Sequence, residues 1–138
     1  MPHRFSTSGL IQVCLALPLS GLLATAALAA CDDAQTTREM RICAGQDFDL
    51  ADAELNRAYK AARQSMHDLD RDLPDTLRGA EDALLQAQRA WIPFRDAACI
   101  AEGFQFRGGS FEPLMVTICK AELTRQRRDQ LRSMIEVN

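Results

Sequence analysis

The chain has 138 residues, and 16 Lys and Arg set against 19 Asp and Glu leave it at −3. That balance excludes the strong basic excess of a nucleic-acid binder, and the length suits one modest domain. Only two histidines and no C-x-x-C spacing argue against a metal site or a redox motif, so no cofactor and no metal are expected.

The first segment is the most apolar. His3 and Arg4 precede a run from Leu10 to Leu28 that ends in Ala27-Leu28-Ala29 and gives way to Asp32 and Asp33. A positive start, an apolar centre and an A-x-A ending make residues 1–29 a signal peptide, with 30–138 the exported domain. The run is just long enough to span a bilayer, but Pro18 and Gly21 interrupt it. Leu28-Ala29-Ala30-Cys31 also matches a lipobox, so a lipoprotein anchored at Cys31 is the alternative to a periplasmic or secreted protein. Counting cysteines favours the unlipidated form, because Cys14 leaves with the leader and Cys31, Cys43, Cys99 and Cys119 remain as an even set. Four cysteines allow three connectivities. Sequential pairing closes the shortest loops and is the expectation, at about 2–4 kcal/mol per bridge.

The exported part is expected to be all-α. Thr36 and Glu39 have capping-box spacing, and Gly45 offers a stop, so 37–44 reads as a short separate helix. Phe48, Ala51, Leu55, Ala58, Tyr59, Ala62, Met66 and Leu69 then form one apolar stripe at three- and four-residue steps. A polar connection from Asp70 to Asp75 follows, with Asp75 the expected N-cap of a second long helix. Its expected inward residues are Leu77, Ala80, Leu84, Ala87, Trp91, Phe94 and Ala98, with a kink near Arg89–Pro93. So short a link makes the two helices antiparallel.

Residues 103–110 lack periodicity and carry Phe104, Phe106, Arg107, Gly108 and Gly109. Ser110 is the expected cap of a last helix, with Pro113 in its first turn and Leu114, Ile118, Leu123, Leu131 and Ile135 inward. The fold expected is a small antiparallel bundle of one short and three longer helices, stapled by two disulfides. Acidic residues crowd its front, at Asp32, Asp33, Asp47, Asp49, Asp52 and Glu54, and basic ones its end, from Lys120 to Arg132. These are expected to be solvated helix faces.

The run Ala51–Tyr59, the run Ala87–Cys99, the step Gly108-Gly109-Ser110, and Cys119 followed by Leu123-Thr124, Arg127 and Leu131 together resemble the LprI-type lysozyme-inhibitor domain family. The resemblance implies a secreted, disulfide-bonded helical domain whose named activity is inhibition of lysozyme. Family membership guides fold better than function.

Two groups of side chains follow as candidates. Asp52, Asn56, Gln88, Arg95, Asp96 and Arg127 lie beside apolar positions and are expected to lock helix to helix through hydrogen bonds, with Arg95 paired to Asp52 or Asp96. Phe104, Phe106, Arg107, Gly108, Gly109 and Ser110 form a loop that a Cys99–Cys119 bridge would clamp. Either its aromatics insert into a partner's cleft or they fold back over the core. In the first case the partner is a lysozyme or related peptidoglycan hydrolase. Arg107 would approach the carboxyl pair that flanks the scissile bond, and a phenylalanine would fill a sugar subsite. The acidic front would steer toward a basic enzyme surface.

The alternative function is a non-inhibitory envelope module, an adaptor or an immunity-type protein against another wall hydrolase. Catalysis is not expected, since His67 stands alone and no nucleophile motif or phosphate loop accompanies it.

Overall fold

The computed structural model describes residues 31–136, and the expected leader, its cleavage point and Cys14 lie outside them. Three long helices make up the described chain: α1 (Thr37–Asp72), α2 (Ala80–Gly103) and α3 (Glu112–Glu136), with short 3-10 turns at Asp75–Leu77 and Phe104–Phe106. No strand occurs among the described residues.

The helix α1 begins as its sequence dictates. The Thr36 side chain accepts from the Glu39 N–H, and the Glu39 carboxylate accepts from the Thr36 N–H at 2.9 Å. The expected stop at Gly45 does not occur, because α1 runs through it without interruption. A glycine costs a helix interior about 1 kcal/mol, and here Ala44 and Ala51 on either side of it are buried, so packing outweighs propensity.

Antiparallel entry into α2 is set by Asp70, not Asp75. The Asp70 carboxylate accepts the backbone N–H groups of Gly79, Ala80 and Glu81 at 2.8, 2.8 and 3.0 Å, satisfying donors that the helix itself leaves open. Gly79 turns the chain at φ 137, a conformation that favours glycine. Asp75 instead lies in the 3-10 turn, bridged to Arg78 at 2.6 Å.

The core cluster comprises Leu55, Ala58, Ala62 and Met66 from α1, Leu84 from α2 and Leu131 from α3, with Tyr59, Trp91, Met134 and Ile135 packed against it. The α1 stripe is as expected down to Met66, while Leu69 is exposed. The α2 stripe is not. Its buried residues are Leu84, Gln88, Arg95, Cys99 and Gly103, whereas Ala87 is exposed, Phe94 is 62% exposed and Leu77 lies outside the helix. The helix is rolled because Cys99 must face Cys119 and because Gly103 packs against Val116 so closely that an added Cβ would come within 2.5 Å of its Cγ2. On α3, Leu114 and Leu131 point inward, but Ile118 is exposed and Thr124 is fully buried in its place.

Both disulfides follow the sequential pairing, Cys31–Cys43 and Cys99–Cys119. They lie at the same end of the bundle, where α1 and α3 begin and α2 finishes. Because α2 runs against both neighbours, α1 and α3 run parallel. Their pairing is marked by Asp47 with Arg125 and Glu54 with Arg128. Two acids of the front thus meet two cations of the end across a helix interface, which the expectation of separate solvated faces did not include, while Asp32, Asp33, Asp49 and Arg132 are exposed as expected.

Candidate functional site

Arg95 lies at the junction of all three helices and is only 8% exposed. Its guanidinium lies 5.2 Å from the ring centroids of both Phe48 on α1 and Trp91 on α2. Its Nε donates to Asp96 Oδ1 at 2.9 Å, one terminal nitrogen reaches Thr124 Oγ1 on α3 at 3.4 Å, and Asp52 stands 3.9 Å away. Burial pushes the Asp96 carboxyl up, but hydrogen bonds from Arg95 and Lys120 outweigh it and hold the group below its ordinary value. Asn56 donates to Asp52 at 2.9 Å.

The remaining two residues of the expected network form a separate pair, with Arg127 Nε donating to Gln88 Oε1 at 3.1 Å. Burial lowers the affinity of the Arg127 guanidinium for its proton. Sequence reasoning thus named six polar residues that the structure gathers into two interhelical groups. It missed Thr124, Lys120 and the stacking of Phe48 and Trp91 on Arg95, because these depend on how far α2 rolls.

The second candidate group lies at the disulfide end. Phe104 is 55% exposed and Phe106 39%, and Phe111, just before α3, is exposed as well. The turn is held from below: Gly108 takes φ 79, and its N–H donates to Glu112 Oε2 at 2.8 Å. Glu112 also receives Arg107 at 2.7 Å, while the Arg107 guanidinium lies 4.7 Å from the centre of the Phe104 ring. The Gly108 N–H, and then Arg107, hold the Glu112 carboxyl below its usual range. Gly109 donates to the Phe106 carbonyl at 2.9 Å. Ser110 lies one residue too early to flank α3, whose first turn is closed by Met115 donating to the Phe111 carbonyl. Glu112 was missed, and its spacing of five residues from Arg107 is not a helical signal.

Two of the clefts in the described surface lie at opposite ends of the bundle. One of about 270 Å³ at the opposite end is lined by His67, Asp70, Arg71, Arg78 and Glu81, whose charges are matched among themselves and their neighbours. The other, about 680 Å³, lies between the starts of α1 and α3 and is lined by Arg38, Arg41, Ile42, Pro113 and Thr117. No cluster of three metal-ligating side chains exists among the described residues, and no helix among them is long and apolar enough to cross a membrane.

Comparison with known proteins gives one family and two relatives. The family described as "Lysozyme inhibitor LprI" matches residues 29–131. A protein of Rhizobium meliloti, R02472, titled uncharacterized, is 45% identical over 109 residues, covering 77% of this chain and 78% of its own. YecT of Escherichia coli, likewise titled uncharacterized, is 35% identical over 71 residues, covering 49% of this chain and 43% of its own. No solved structure matches.

Proposed function

Since the chain belongs to the LprI lysozyme-inhibitor family, we propose that it is an exported, non-catalytic protein that inhibits a lysozyme by occluding its glycan-binding cleft. The observation that carries this reading is the family match across residues 29–131. Two disulfides fit an oxidising compartment outside the cytoplasm. With its sulfur bonded to Cys43, Cys31 has no thiol left for a lipid thioether, which supports cleavage of the leader without lipidation.

The disulfide end is the surface we assign to the enzyme. Phe104, Phe106 and Phe111 expose aromatic area within eight residues of chain, on a turn tied at its base by Cys99–Cys119. A rigid aromatic element loses little conformational freedom on binding, and so keeps more of its contact energy as affinity. Arg107 has a different role from the one its sequence position suggests. Held by Glu112 and laid over Phe104, it braces the turn and presents the ring rather than reaching for an enzyme carboxylate.

The test is lysis of a cell-wall suspension by chicken-, goose- and invertebrate-type lysozymes with and without the oxidised protein. Wild type slows at least one of them, and Phe104→Ala/Phe106→Ala raises the inhibition constant about 100-fold or more, as loss of two aromatic anchors does. Equal inhibition by the folded variant removes the turn as the inserted element. Should wild type slow none of the three, the protein is instead a non-inhibitory envelope module.

A further inference from the structure

The cations of this chain divide into matched and unmatched. Arg107 is matched by Glu112, Arg125 by Asp47, Arg128 by Glu54 and Lys120 by Asp96. As with Arg57, Lys60 and Arg89, the side chains of Arg38 and Arg41 make no hydrogen bond, ion pair or ring contact among the described residues. They stand one turn apart and line the same cleft, with Ile42 and Pro113 as its apolar part.

Helix stability does not account for this placement. Arg38 lies in the first turn after the Thr36 cap, where the helix dipole disfavours positive charge, and Arg41 three residues on repels it. The one acid in that first turn, Glu39, is occupied by the N–H groups of Thr36 and Gln35, and none of the described residues lining the cleft is acidic. An anion in the cleft would relieve the repulsion, the dipole and the unmatched charge together. Guanidinium favours carboxylate, which it can grip with two parallel hydrogen bonds, and the apolar part of the cleft strengthens such a contact by excluding water.

We infer that the cleft between the starts of α1 and α3 receives a carboxylate side chain of the partner protein through Arg38 and Arg41. This rests on the function proposed above, under which that carboxylate belongs to the acidic glycan groove of the lysozyme. The cleft opens beside the aromatic turn, since Pro113 follows Phe111 by two residues, so one docking event engages both. The cation that the sequence assigns to Arg107 is supplied instead by this pair.

The experiment compares Arg38→Glu/Arg41→Glu with Arg57→Glu/Arg89→Glu, which changes net charge equally but at exposed arginines outside the cleft. The first variant folds, because acids suit a helix N-terminus, and circular dichroism confirms it. Its inhibition constant rises about 100-fold or more, as reversal of two interfacial charges does, while the control stays within about threefold. If wild type inhibits and the cleft variant inhibits equally well, the inference falls and the proposed function stands. If wild type inhibits no lysozyme, both fall. Arginine-dependent binding of a free muramyl peptide without lysozyme binding assigns the cleft to a wall fragment and also overturns the inference.

Discussion

Arg95 holds three helices with one guanidinium. It stacks on rings from α1 and α2, bonds to Asp96 on its own helix and reaches Thr124 on α3. Taking away a buried charged partner leaves the groups around it unmet. Arg95→Met therefore lowers unfolding stability by about 3 kcal/mol, measured by urea denaturation, while Arg89→Met, on the exposed side of the same helix, changes it little. That Arg95, Asp96 and Asp52 belong together was legible, because polar groups beside an apolar stripe need partners. The identity of Thr124 as one of them was not, since nothing local distinguishes a fully buried threonine from an exposed one.

Asp70 gives the acid sensitivity of the fold a definite source. Three backbone N–H groups of the next helix, first that of Glu81, hold its carboxyl below the ordinary 3.8. A carboxyl lowered in the folded state stabilises the fold above its unfolded pKa, and the contribution disappears as pH falls through the folded one. Asp70→Ala thus flattens the loss of thermal stability as pH falls below the ordinary carboxylate value of 3.8, and an unchanged acid limb would refute this assignment.

At the scale of elements, Gly45 shows where a local rule yields. A glycine after a short capped segment reads as a stop, yet α1 continues because its next turns carry buried side chains and the Asp47–Arg125 bridge. A Cβ added at Gly45 meets nothing within 4 Å. Gly45→Ala consequently raises stability by about 1 kcal/mol in denaturant titration, whereas a required turn there would make it destabilising. The second helix teaches a different lesson. Its 3-4 periodicity fixed that it is a helix but not which face is inward, because Ala87 and Phe94 compete with Gln88, Arg95 and Cys99 for the interior. A covalent bond to Cys119 and the close approach at Gly103 decide the roll, and neither is visible from one helix alone.

At the scale of the whole molecule, parallel pairing of α1 with α3 explains a charge pattern that sequence reading assigned to solvent. Asp47 meets Arg125 and Glu54 meets Arg128 at sequence separations of 78 and 74, so the segregation along the chain becomes complementarity across an interface. The three long helices were legible because periodicity is a local signal, and the disulfides follow the shortest-loop expectation, whereas the short helix expected at 37–44 is the first part of α1. The parallel register was not, because it depends on contacts far apart in sequence. The same arrangement gathers both disulfides, the aromatic turn and the unmatched Arg38 and Arg41 at one end, leaving the other end to matched ion pairs.

That concentration is the reason for proposing this end as the binding surface, and direct titration of the oxidised protein into chicken-, goose- and invertebrate-type lysozymes in a calorimeter tests it. A one-to-one complex with at least one class, weakened by added salt and lost when the disulfides are reduced, is the predicted result. Absence of heat with every class, or binding that neither the Phe104/Phe106 nor the Arg38/Arg41 substitutions alter, would contradict the account.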